Sequence, residues 1–269
     1  MPPDPTTTPP PTRAAPHPLS VALLLADARL PGGGHAHSAS LEPALRGGMP
    51  PADVPAWMVG RATTVGLVEA GTAVVAARLL ADAAPEDPDT AGRLDAVVRA
   101  WAARTPSAAL REASRLLGRG YLRVARALWP QSVAVRALVA YEAAHEAAHD
   151  AARATARAAR QAPAQRSGTL PRAVVLGAVA AAAGLPPEDV VRLTVYDDAQ
   201  TAASALLKLE PLDPLAPARW VLDACAAAEE HVLRAAACAT PEDVPASGAP
   251  LTEGWAEAHA LTTQRLFRA

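Results

Sequence analysis

From Leu19 onward apolar residues recur at spacings of three and four, alanine fills many of the positions between them, and β-branched residues seldom alternate with polar ones. That period places the apolar side chains on one face of a helix, and alanine is the residue a helix accommodates most readily. The alternation needed for a half-buried strand is missing, so helices must bury their faces against other helices. The expected fold is all-α, a single-domain helical bundle of roughly nine or ten helices.

Individual segments show the pattern. Leu94, Val97, Val98 and Trp101 share one helical face behind Asp89, and Leu110, Ser114, Leu117, Tyr121, Val124 and Leu128 repeat in steps of four and three. Asp53 with Pro55, Pro187 with Glu188 and Asp189, and Asp213 with Pro214 combine an acid with an early proline, as helix starts do. Breaks are expected at Pro31 to Gly34, Pro50 and Pro51, Pro85 to Pro88, Ala162 to Pro171, Gly184 to Pro187, Leu209 to Pro217 and Thr240 to Pro250.

Eight prolines in the first eighteen residues, with few apolar side chains, mark residues 1–18 as a disordered proline-rich arm. Residues 19–258 form the all-α domain, and residues 259–269 a C-terminal tail that orders when a partner arrives. The arm has no apolar core of a signal peptide. Charges and prolines interrupt each later apolar stretch before it reaches the length of a membrane span, so the chain reads as cytoplasmic with no membrane partner.

Hydrophobic residues make up 51% of the 269, enough for a large core. The formal net charge is −2, which offers no basic field for a phosphate backbone, so nucleic acid is not an expected partner. Cys225 and Cys238 are the only cysteines. On one helix they would stand about 20 Å apart, too far for a disulfide.

Four ordered blocks resemble a known family. The first runs Leu23-Leu24-Leu25-Ala26-Asp27-Ala28-Arg29-Leu30-Pro31-Gly32-Gly33-Gly34-His35-Ala36-His37-Ser38-Ala39-Ser40-Leu41-Glu42. The second is Leu110-Arg111-Glu112-Ala113-Ser114 leading to Gly118-Arg119-Gly120 and Trp129, and the third is Leu176-Gly177 with Ala183-Gly184-Leu185. The fourth is the carboxyl end, His259 to Arg265-Leu266-Phe267-Arg268. In that order they are similar to the UreF-type urease accessory proteins. Three positions depart from the family pattern: His35 stands where an aromatic residue is usual, Glu210 to Pro214 replace a Gly-Gln, and Ala260 replaces a glutamate.

The resemblance implies a non-enzymatic scaffold that dimerises, binds a UreD-type (UreH-type) accessory protein, and through it recruits the UreG-type GTPase that delivers nickel to apo-urease. It implies no cofactor of its own. It directs attention to Gly33, Gly34, His37, Ser38, Glu42, Arg119, Gly120, Lys208, His259, Arg265, Phe267 and Arg268 as partner-binding residues, with no catalytic and no metal-ligating residue assigned.

The residues carry their own readings. Gly32 to Gly34 with His35 and His37 suit a tight turn whose histidines bond to backbone, or a metal contact, or an interface; no Lys-Ser or Lys-Thr follows to make a phosphate loop. Arg111, Arg115, Arg119 and Arg123 form a basic stripe that is either a solvated face or a dock for an acidic partner. Lys208, a rare lysine among arginines, lies inside the apolar run Leu206-Leu207-Lys208-Leu209, where it can snorkel or touch the GTPase. Phe267, the only phenylalanine, is either a partner anchor or tucked onto its own domain. Two other function classes remain: a zinc-dependent hydrolase using His145-Glu146-Ala147-Ala148-His149, and a helical adaptor unrelated to nickel.

Overall fold

The computed structural model describes residues 16–27, 29–83, 88–158, 169–263 and 266–267. The proline-rich arm up to residue 15 lies outside the described residues, as do Arg265 and Arg268 and most of the Ala162 to Pro171 break. Twelve α-helices and no extended strand occur among the described residues.

Two apolar helices form the centre because their sequences leave them no polar face. In α4 (Val65–Ala81) the only charges are Glu69 and Arg78, and α8 (Arg172–Ala183) carries only Arg172. They pack along each other at close range. A Cβ at Gly177 would stand 2.5 Å from the Ala73 carbonyl oxygen, so glycine is what lets the two backbones meet. Around this pair sit α1 (Pro18–Leu25), α5 (Pro88–Ala103), α6 (Ala108–Leu128), α7 (Val133–Ala158) and α11 (Val232–Ala236), and together they enclose the larger apolar cluster, with Trp101 fully buried in it.

A second cluster lies between α2 (Leu41–Arg46), α3 (Val54–Thr63) and α10 (Leu215–Glu229). The long helix α9 (Pro187–Leu209) serves both: Val190, Val191 and Leu193 pack into the larger cluster, and Val195, Ala199, Ala202, Ala203, Ala205 and Leu206 into the smaller. The last helix, α12 (Pro250–Ala260), packs against α2 and α6.

The count exceeds the sequence expectation because α1, α2 and α11 are too short to leave a periodic signature. The stretch Pro51–Ala81 is also longer and more apolar than the interruptions in the sequence implied, with a mean hydropathy of 1.5 and enough length to cross a membrane. Two thirds of that window is buried inside the protein, so the core of the fold consumes its apolar surface. The stretch also breaks at Thr64 (φ −123°, ψ −94°), where neither glycine nor proline stands. The Oγ1 hydroxyls of Thr63 and Thr64 donate to the Val59 and Gly60 carbonyls, competing with the helix for its own acceptors.

Candidate functional site

The glycine-rich stretch between α1 and α2 is a turn built against α6. Gly33 takes a left-handed conformation (φ 93°), Gly34–Ala36 make a single 3-10 turn, and His37 is extended. A Cβ at Gly120 would lie 1.9 Å from the Gly32 carbonyl oxygen, so the loop rests directly on the backbone of α6. Arg123 adds a hydrogen bond, its Nη2 donating to the Pro31 carbonyl at 2.8 Å. The loop ends on two strained residues, Ala39 (φ 49°) and Ser40 (φ 69°), before α2 begins.

Glu42, fully buried in the first turn of α2, then ties this loop to the carboxyl end. Its Oε1 accepts from the Leu266 amide at 2.9 Å and its Oε2 from the Phe267 amide at 2.6 Å. Arg46 Nε lies 3.0 Å from Oε1 and His259 Nε2 3.5 Å from Oε2, so one carboxylate gathers four groups from three parts of the chain. The Glu42 amide in turn donates to Ser38 Oγ. Phe267 is seated in the smaller apolar cluster, and Lys208, in the last turn of α9, holds its Nζ 5.2 Å from the Phe267 ring centroid.

Eight of the residues singled out in the sequence therefore form one continuous neighbourhood: Gly33, Gly34, His37, Ser38, Glu42, Lys208, His259 and Phe267, with Gly120 behind the loop. His37, Ser38, Glu42, His259 and Phe267 are buried, so their work here is to hold the loop and tail together. Phe267 is seated on its own domain. Lys208 and Arg119 are exposed, the latter on the outer side of α6. The rest of the arginine stripe is engaged within the chain: Arg111 donates to the Thr105 and Pro106 carbonyls, Arg115 lies over the Trp101 ring, and Arg123 holds the loop.

The literal zinc-hydrolase pattern falls on α7. His145 packs its ring against Tyr141 and places Nε2 3.4 Å from Asp95. The His149 side chain lies outside the described residues. Among the described residues no three His, Cys, Asp or Glu side chains come together as a metal site.

What sequence reasoning missed is a charged network where the two apolar clusters meet. Arg61 of α3 grips Asp198 with two hydrogen bonds, Nε to Oδ2 at 2.7 Å and Nη2 to Oδ1 at 3.0 Å. Arg172 pairs with Asp197, to which the Tyr121 hydroxyl also donates. Glu69 accepts from Trp101 Nε1 at 2.6 Å and stands 4.0 Å from Arg172. Burial pushes the Glu69 and Asp197 carboxyls up, and the pull of Arg172 on each does not cancel it. Burial acts the same way on Asp198, yet the charge and hydrogen bonds of Arg61 outweigh it and hold that carboxyl below its ordinary range. Part of the signal was present in the sequence: Glu69 and Arg172 are charges set inside otherwise apolar helices, which are tolerated only when they meet a partner.

Comparison with known proteins agrees with the blocks read above. The UreF family model matches residues 50–225, well over half the chain. The urease accessory protein UreF of Mycobacterium marinum is 35% identical over 201 residues, covering 72% of this chain and 76% of its own length. UreF of a Mycobacterium species, strain JLS, is 33% identical over 256 residues, covering 93% of this chain and 98% of its own. By family match and by relatives that align over most of both chains, this protein belongs to the UreF family of urease accessory proteins, which are not enzymes.

Proposed function

We propose that this chain is a scaffold and regulator of the GTPase that delivers nickel during assembly of the urease metallocentre. Its partners are a UreD-type (UreH-type) accessory protein, a UreG-type GTPase and apo-urease, and it acts as a homodimer in the cytoplasm. Nickel is cargo in this reading, handed between partners. The family match carries the proposal, and the Glu42 clasp, which ties the glycine loop, the end of α9 and the carboxyl tail together, supports it by joining the residues singled out for docking.

Exposed residues on a fixed frame lose little entropy on docking, so the contact energy goes into affinity. Among the described residues Arg119 and Lys208 are the exposed cations of the set, and they supply positive charge for an acidic face. Buried Glu42, His259 and Phe267 act through them by holding the frame.

Size-exclusion chromatography with light scattering, on this chain mixed with UreD-type and UreG-type proteins in GDP or GTP, tests the reading. A ternary complex is expected, and Arg119→Glu or Lys208→Ala is expected to weaken it without changing the helical content of the free chain. No complex with either nucleotide would sink the proposal. Intact urease activation by both Lys208→Ala and a chain ending before His259 would sink the site assignment alone.

A further inference from the structure

Where the two apolar clusters meet, a cavity of about 90 Å³ opens beside the buried charge network. Apolar Val65, Val68, Ala113 and Leu117 share its lining with Ser40, the guanidiniums of Arg61, Arg104 and Arg172 and the carboxylates of Glu69, Asp197, Asp198 and Glu253. Two polar atoms of these lining residues are buried without a hydrogen-bond partner, Ser40 Oγ and Arg61 Nη1. Ser40 is only 1% exposed and is held there by a left-handed backbone, and the Nε and Nη2 of Arg61 are already committed to Asp198. A buried polar atom left unpaired costs about 1–3 kcal/mol, so such atoms mark a place where something else completes the bonding.

The chemistry of the wall selects what that is. Arg61 Nη1 offers only N–H donors and carries positive charge, so a cation cannot complete its bonding. An anion is disfavoured too. Arg61 already faces Asp198 and Arg172 faces Asp197, Arg104 is spent on backbone carbonyls, and Glu69 and Glu253 bring the carboxylates in the lining to four against three guanidiniums, so an added negative charge joins an excess of its own sign. What remains is a neutral molecule with a strong acceptor at one end, donors for the carboxylates beside it and a small apolar part for Val65 and Leu117. The volume admits about four or five non-hydrogen atoms.

We propose that this cavity binds a free small neutral amide, its carbonyl oxygen accepting from Arg61 Nη1 and Ser40 Oγ and its amino group donating to the Asp197 and Asp198 carboxylates. The site lies inside the chain, separate from the exposed residues assigned to partner docking.

The test is a titration of the full chain with acetamide, following the Arg61 Nε–Hε signal by nitrogen-15 NMR. Acetamide is expected to move that signal saturably, acetate at the same concentration is not, and Ser40→Ala is expected to weaken acetamide about tenfold by removing one hydrogen bond. Ser40→Ala deletes an unpaired hydroxyl, so the fold should survive, and unchanged melting of the free variant checks this. Absence of saturation, which is what a cavity holding water alone would give, overturns the proposal, as does equal binding of acetate or an unaltered affinity in Ser40→Ala. Saturation by N-acetylglutaminamide but not by acetamide overturns the assignment to a free molecule and places a partner's carboxamide side chain there.

Discussion

At Gly120 a single added methyl group has nowhere to go, because the Gly32 carbonyl oxygen occupies its place and backbone cannot move aside as a side chain can. Gly120→Ala is expected to lower stability by about 1–3 kcal/mol, read as a lower guanidinium midpoint. Gly92 in α5 is the contrast, with open space around its Cβ position, and Gly92→Ala is expected to raise stability by about 0.5–1 kcal/mol through helix propensity alone. Glu69 carries a pH dependence of readable sign. Its folded carboxyl lies above the ordinary 4.5 through burial, so the folded state holds that proton more tightly and stability from this group falls as pH rises through the folded value. Glu69→Gln keeps an oxygen for Trp101 and needs no ionisation. Its unfolding midpoint is expected to exceed the wild type's at neutral pH, with the gap closing as pH falls toward 4.5. At this scale local motifs drew attention to Gly120, which packs on the Gly32 carbonyl, and to Lys208, which stands beside Phe267. The sequence was silent on Arg61 with Asp198, which are far apart in the chain and follow no spacing rule.

Among the elements, the periodic face of α5 was read correctly, whereas the repeat along α6 ends on Leu128, which is 49% exposed. Leu94, Val97 and Trp101 of α5 are fully buried as their spacing predicts, and Asp213 Oδ1 accepts from the Leu215 amide at the start of α10. The break between α3 and α4 was invisible because threonine hydroxyls, not a proline or glycine, make it. The carboxyl tail posed a different difficulty. Its sequence is compatible with a partner anchor and with self-docking, and only the position of Glu42, far away in the chain, shows where Phe267 goes. Phe267→Ala is expected to cost about 3–5 kcal/mol by emptying a seat in the smaller cluster. Chemical denaturation checks the cost, and limited proteolysis after Leu261 should accelerate in the same variant.

For the molecule as a whole, the all-α class followed from periodicity, whereas the division of the core into two clusters depends on long-range packing that composition cannot express. Because α9 contributes to both clusters, it can come loose only if both open. Its amides from Val190 to Leu206, together with those of α4 and α8, are expected to be the slowest in native-state hydrogen exchange, with α1 and α12 faster. Fast exchange in the carboxyl half of α9 alone would show that the smaller cluster opens independently.

The contact between Lys208 and Phe267 has a practical side, because Lys208 is the only lysine in all 269 residues. Apart from the terminal amine, every amine-directed reagent, acylating enzyme or bifunctional cross-linker has a single address on this protein. That address stands over the ring that anchors the tail. A dye or an acyl group placed on Lys208 removes its positive charge from the aromatic face, so one covalent label both reports on the seating of the tail and perturbs it.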